Sequence, residues 1–575
     1  MSSRMQLDLA GADSAVLEAL SEHARRDAWA QRLVDRDPSL WTDDPSVATT
    51  IADRLGWLDA PEHFTGEIPA LEGFGEGIRV AGFTTAVVMG MGGSSLAPDV
   101  YHQVFGAADG YLELRILDST DPAAVARTVD DLDPLQTLWI VASKSGTTTE
   151  PLAFMADAWA RVETALEAAG SEQSPGEFFV AITDPGRSLA AIPHHDDLRE
   201  RFLNPPDIGG RYSALTYVGL VPASLIGLDL DPFLASASAM LALCRDPEPT
   251  ANPGLRLGLA MGSLARGGRD KLTFVADSAT ASFGSWAEQL IAESTGKRGT
   301  GIVPIDREPL GPAKAYGGDR VFVGLGLAPG DGESPSAEQS ANEELLDELA
   351  KLGHPVIRIE IDDPIDLAGE MLRWEVATAF AGAVLGIDPF DQPNVEEAKE
   401  RTRHVLSGGG PAAAGAAGDP ADGDVLRPAA LGDDGLARAL TASLADRRPP
   451  AYLAVQAFIA PTPERDSAIA RIRAALGKTT CATTGGYGPR FLHSTGQLHK
   501  GGPATGWFLQ LTSDHPADRP IPGWPYTFGE LIDAQARGDR EAIRAHDRPV
   551  VHVHLGADAD ADLATLERAI SLAIG

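Results

Sequence analysis

Four short apolar runs in the first half of the chain each end in a loop of glycine, hydroxyl and aspartate residues. Thr85–Met89 runs into Gly90-Met91-Gly92-Gly93-Ser94-Ser95, and Leu112–Leu117 into Asp118-Ser119-Thr120-Asp121-Pro122. Thr137–Ala142 runs into Ser143-Lys144-Ser145-Gly146, and Phe178–Ile182 into Thr183-Asp184-Pro185-Gly186. A helical stretch follows each run, which is the βαβ rhythm of a parallel sheet. Ligands of such sheets bind beyond the carboxyl ends of the strands, where all four loops fall.

A chain of 575 residues is too long for one core, so two or three domains are expected. The spacing predicts a helical N-terminal arm over 1–60 and a first α/β domain over 61–230. A second α/β domain follows over 231–405, with strands at Leu272–Ala276, Val321–Leu325 and Val356–Ile361 and a long amphipathic helix near 367–385. The low-complexity stretch SGGGPAAAGAAGDPADG marks a linker, set at 406–434. A smaller α/β unit occupies 435–575, with strands near Tyr452–Ile459, Phe508–Leu511 and Val550–Leu555.

Acidic residues number 82 against 47 basic, a formal charge of −35. That balance argues against nucleic acid and anionic membranes as partners. A small anionic substrate remains compatible, because charges beyond about 8 Å are screened and a few local cations dominate a cleft. Two cysteines form neither a disulfide framework nor a zinc set. The N-terminus has no apolar signal region, so a cytoplasmic address is expected.

Ser143-Lys144-Ser145-Gly146-Thr147-Thr148-Thr149-Glu150 is the first candidate site. Its hydroxyls, with Thr147 and Glu150 spaced as a capping box, suit a phosphate at a helix N-terminus. Alone it reads equally as a polar βα turn. It is not a nucleotide-triphosphate loop, since G-x-x-x-x-G-K-[ST] is absent. Gly209-Gly210-Arg211-Tyr212-Ser213 offers a guanidinium, which alone reads as a surface ion pair. Gln289 and Glu293 are four apart and share a helix face ahead of Gly296-Lys297. Pro389-Phe390-Asp391-Gln392-Pro393 opens a helix, on which Gln392 and Lys399 are expected to share a face.

Together and in this order, these motifs resemble the glucose-6-phosphate isomerase family over roughly 40–405. G-G-R-[FY]-S at 209–213 and F-D-Q-x-x-V-E-x-x-K at 390–399 carry most of the resemblance; Thr295 stands where the family usually has asparagine. The C-terminal unit resembles that of the isomerase half of bacterial transaldolase/isomerase fusions. The resemblance implies two flavodoxin-like sugar-isomerase (SIS) domains, with parallel sheets flanked by helices. It implies interconversion of glucose 6-phosphate and fructose 6-phosphate through a cis-enediol(ate), in glycolysis or gluconeogenesis, without metal or organic cofactor. Carried over position by position, Ser143, Ser145 and Thr148 would bind phosphate beside Lys144, and Gly93 and Ser94 would contact the sugar. Glu293 would be the base, Arg211 the enediolate partner, Gln289 and Gln392 the positioning groups, and Lys399 an aid to ring opening. A homodimer is the common family arrangement; the added C-terminal unit leaves room for a monomer.

One family feature is missing. Residues 294–353 contain no histidine to open the sugar ring, and Asp306–Pro312 fills that place. The replacement is expected in Arg490–Gly502, at His499 beside Lys399 in the cleft, or second at His493. Two other readings stay open: a broader isomerase that also takes mannose 6-phosphate, with Thr295 as the discriminating residue, and a catalytically silent sugar-phosphate sensor. Retention of Glu293, Arg211, Gln392 and Lys399 together argues against the sensor, which needs the phosphate loop and no base.

Overall fold

The computed structural model describes residues 4–330, 334–406 and 425–575, apart from the side chains of Val395, Glu396, Ala398 and Lys399. It contains three sheets, one in each of the three α/β units. Among the described residues no helix is long and apolar enough to cross a membrane.

The chain opens on a strand, β1 (Arg4–Asp8), before its first helices at Gly11–Arg26, Trp29–Val34 and Pro45–Ala52. The expectation of an all-helical arm is corrected here. Its sequence, RMQLD, alternates polar and apolar side chains and adds an antiparallel edge to the second sheet.

The first sheet holds β2 (Thr85–Met89), β3 (Glu113–Leu117), β4 (Thr137–Ala142), β5 (Phe179–Thr183) and β6 (Glu200–Leu203). All are parallel, in the order β3-β2-β4-β5-β6. β2, β4 and β5 are buried along their whole length, as the near-continuous apolar runs require. The chain goes from β2 to β3 on one side, then returns to β4 on the other. This reversal opens a crevice between the loops that follow β2 and β4, which are Gly90–Ser95 and Ser143–Thr148.

The second sheet contains β7 (Lys271–Ala276), β8 (Val303–Ile305), β9 (Arg320–Leu327) and β10 (Val356–Ile361), ordered β1-β10-β9-β7-β8. The helix Ala281–Thr295 follows β7 and carries Gln289 and Glu293. The helix Leu367–Leu385 has the expected bounds but is not amphipathic. Nearly every residue is buried, because three other helices surround it, at Leu230–Cys244, Pro253–Arg266 and Ala281–Thr295.

The C-terminal sheet contains β11 (Tyr452–Phe458), β12 (Ala482–Tyr487), β13 (Gly506–Ser513) and β14 (Val550–Leu555), all parallel, in the order β12-β11-β13-β14. β12 is not expected from ATTGGY, whose two glycines weaken a strand; it forms as an edge paired to β11. The stretch 407–424 lies outside the described residues. The far end of the expected linker is structured: Leu426 bridges to Val553, and Pro428–Leu444 is a helix packed on Ala559–Ile574. Its Leu436, Leu440 and Leu444 recur every fourth residue and are buried, so the C-terminal unit begins ahead of 435. Each such leucine contributes about 1.5–3 kcal/mol on full burial.

Arginine contacts bind this unit to the other two. Arg519 meets Asp130 and Asp157 at 2.8–2.9 Å. Arg473 donates to the carbonyls of Asp306 and Arg307, and Glu308 joins Arg320 to Thr483. The segment 306–308 is therefore a docking surface for the C-terminal unit.

Candidate functional site

The loop after β4 gathers its own hydroxyls. Ser143 Oγ donates to Thr148 Oγ1 at 3.0 Å, and Ser145 Oγ lies 2.9 Å from Thr147 Oγ1. The helix that follows is Thr149–Ala169 with Thr148 at its N-cap, and among the described residues no side chain caps its first amides. The expected Thr147–Glu150 capping box does not form. Thr147 is turned to Ser145, and Glu150 points out of the helix toward the C-terminal unit. The loop thus places a helix N-terminus and a cluster of hydroxyls at the crevice between β2 and β4. Lys144 stands beside the loop, but its ammonium bonds Asp184 Oδ2 at 2.6 Å and the Pro206 carbonyl at 2.9 Å.

On the other side of that crevice, Gly93 and Ser94 begin the helix Gly93–Phe105. A Cβ on Gly93 would lie 2.1 Å from the Gly210 carbonyl, so only glycine admits the Gly209-Gly210-Arg211 backbone this close. Gly92 has φ of 54°, and a Cβ there would lie 2.5 Å from the His493 carbonyl.

Arg211 is 2% exposed at its side chain and fully engaged. Nε donates to Ser294 Oγ at 2.7 Å, Nη1 to Gln392 Oε1 at 2.8 Å, and Nη2 to the carbonyls of Pro389 and Asp391. Nη1 also lies 3.4 Å from Glu293 Oε1. The other Glu293 oxygen accepts from Gln289 Nε2 at 3.1 Å. The structure therefore brings Arg211, Gln289, Glu293 and Gln392 into one contact network. Lys297, three residues past Ser294, is a further buried cation here. Its Nζ donates to the Asp388 and Asp391 carbonyls and to Asp391 Oδ1. Burial, then the neighbouring Arg211, brings its pKa down to about 8.

Two positions depart from expectation in this part. Gln392 precedes the helix Val395–Leu406, so it shares no helix face with Lys399, whose side chain lies outside the described residues. Thr295 does not line the cleft. It is fully buried, donates to the Ile291 carbonyl at 2.7 Å and accepts from the Ile302 amide at 2.9 Å.

The histidine expectation is reordered. His499 is 3% exposed and enclosed by Tyr452, Phe491 and Phe508, with Nδ1 3.2 Å from Gln456 Nε2. Burial holds its pKa well below the ordinary histidine value, so it is a neutral ring in the core of the C-terminal unit. His493 instead faces the other domains. Its carbonyl accepts from Gln289 Nε2 at 2.7 Å, and its Nε2 lies 3.1 Å from Glu150 Oε1. Gln535 donates to the same Glu150 oxygen at 2.7 Å and accepts from Thr120 Oγ1 at 2.7 Å. One amide, Gln289, therefore links the Glu293 carboxylate to the His493 backbone. Glu150 was legible only as a helix cap; its role toward His493 has no signal at local spacing, because 343 residues separate them.

The family model for phosphoglucose isomerase matches residues 40–304. Glucose-6-phosphate isomerase of Symbiobacterium thermophilum is 30% identical over 391 residues, covering 61% of this chain and 86% of that one. Among solved structures, a hypothetical protein of Thermus thermophilus matches with a TM-score of 0.57 and 26% identity, covering 70% of this chain and all of that one. A glucose-6-phosphate isomerase of Chlamydia trachomatis has the same fold at a TM-score of 0.51 and 24% identity, over 66% of this chain and 78% of that one. With Arg211, Gln289, Glu293 and Gln392 in one contact network and a relative matched over most of its length, the chain belongs to the glucose-6-phosphate isomerase family.

Proposed function

We propose that this chain interconverts glucose 6-phosphate and fructose 6-phosphate, with Glu293 as the base and the loop 143–148 as the phosphate seat. The observation that carries the reading is the buried contact of Glu293 with Arg211 at 3.4 Å, beside the loop after β2, where a Cβ on Gly92 would lie 2.8 Å from Gln289 Nε2. A proton next to a carbonyl is weakly acidic, so its removal needs a placed carboxylate and a cation for the oxyanion together. Glu293 takes the proton from C2 and returns it to C1, while Arg211 stabilises the enediolate. Gln289 and Gln392 orient the ligand and the arginine. Lys399, on the helix Val395–Leu406, is retained as an aid to ring opening on the family resemblance alone.

His493 takes the role of ring-opening acid. Glu150 accepts from its Nε2–H, and the doubly protonated ring gives its Nδ1 proton to the ring oxygen as the bond from that oxygen to the anomeric carbon breaks, while the anomeric hydroxyl releases its proton to solvent and becomes the C1 carbonyl. The buried free thiols Cys244 and Cys481 favour a reducing, cytoplasmic setting.

Incubation with fructose 6-phosphate in deuterated water tests the function. The expected result is glucose 6-phosphate carrying deuterium at C2, together with deuterium at C1 of the remaining fructose 6-phosphate. Absence of both product and exchange overturns the reading.

A further inference from the structure

The short 3₁₀ turn Arg490–His493 belongs by connectivity to the C-terminal unit, yet its polar side chains reach away from it. Arg490 Nη2 donates to Asp99 Oδ2 at 2.5 Å, and its Nε lies 2.9 Å from Asp118 Oδ2. Asp99 lies on the helix Gly93–Phe105, and Asp118 directly follows β3. Both carboxylates are themselves oriented from that helix: Gln103 donates to Asp99 Oδ1 at 2.8 Å and Ser95 to Asp118 Oδ2 at 3.2 Å. Their side chains are 18% and 14% exposed, and that of Arg490 is 31% exposed. Behind the turn, Phe491 is buried against Phe458 of the C-terminal sheet. Side chains three apart in a 3₁₀ turn eclipse one another, so Arg490 and His493 project on the same side, toward the first domain.

We infer that Arg490 is a positioning residue that docks this turn on the first domain and so sets His493 in the cleft. The inference rests on the reading of His493 as the ring-opening group. One guanidinium faces two carboxylates here. Without it, two like charges are left facing each other in a poorly hydrated place, and the turn loses its ionic anchor. A histidine displaced by about 1 Å is enough for a large loss of rate.

The test compares Arg490→Gln, Arg490→Lys and His493→Gln in the full chain. Two quantities are read: exchange between the α and β anomers of glucose 6-phosphate by NMR saturation transfer, and affinity for a five-carbon aldonate phosphate, which has no ring to open. Arg490→Gln should slow anomer exchange by about tenfold or more while the aldonate affinity stays within about twofold, and Arg490→Lys should fall between it and wild type. Unchanged exchange in Arg490→Gln overturns the inference. So does a parallel fall in exchange and aldonate affinity, which would make Arg490 a general support. If His493→Gln itself leaves exchange intact, it is the ring-opening reading that fails. If His493→Gln abolishes exchange and Arg490→Gln does not, only the role of Arg490 fails. Asp118→Asn probes the same anchor should Arg490→Gln not fold, with the same split expected and the same results overturning it.

Discussion

His493 and His499 stand six residues apart on one segment and meet opposite surroundings. His493 sits on a turn pressed against the first two domains, its backbone held by Gln289 and its ring by Glu150. His499 sits on the helix Gly496–Gly501, turned inward among aromatic rings and bonded to Gln456. The same side chain is a polar group at a domain boundary in one place and core packing in the other. What separates them is the partner each meets from a distant part of the chain, and spacing along the segment does not encode that partner.

The largest expected effect sets the floor for this comparison. Glu293→Gln removes the base from the cleft, and isomerisation and solvent exchange at C1 should fall together by roughly 10²–10⁴-fold. Anomer exchange should persist in that variant; its loss would merge the two functions whose groups Gln289 Nε2 joins. Next, His493→Ala should slow anomer exchange by about 10²-fold, whereas His499→Gln should leave it close to wild type. The reverse outcome in NMR exchange spectra would restore His499 as the working residue. A smaller effect is expected from Gln535→Leu, which removes the amide that donates to the same Glu150 oxygen. Loss of one such hydrogen bond, about 1 kcal/mol, predicts a rate loss of roughly fivefold confined to ring opening; an equal loss on ring-less ligands would break the link.

The smallest effect concerns stability and its pH dependence. Burial keeps folded His499 neutral, while an unfolded chain takes up a proton there below about pH 6.5. The unfolded state then binds more protons than the folded one, so this residue withdraws stability as pH falls through that value. Denaturant midpoints measured at pH 7.5 and 5.5 should show a smaller acid loss in His499→Gln than in wild type. An identical loss in both would mean that the ring takes up its proton without unfolding.

The comparison also marks what the sequence could and could not convey. Strand positions were legible where apolar runs were long and fully buried: Thr137–Ala142 and Val356–Ile361 have the expected bounds. Arg4–Asp8 was missed because an edge strand needs only a weak, alternating pattern, and Ala482–Tyr487 because its glycines read as a turn. The motif residues Arg211, Gln289, Glu293 and Gln392 were legible as types, and the structure adds which atoms meet. Glu150 was visible but misread, since local capping is the nearest use for a glutamate at that position. Its actual partners, His493 and Gln535, come from the far end of the chain, and no local rule reaches that far.

Gln289 carries one more consequence. Its nitrogen donates to both Glu293 and the His493 carbonyl, whereas its oxygen is buried and takes no hydrogen bond among the described residues. A buried acceptor left without a donor carries a cost, which a guest hydroxyl that reaches it removes and a hydrogen or an ether in that place does not. Deoxygenated sugars should be turned away at this single atom by the omission of one proton, however well they otherwise fit.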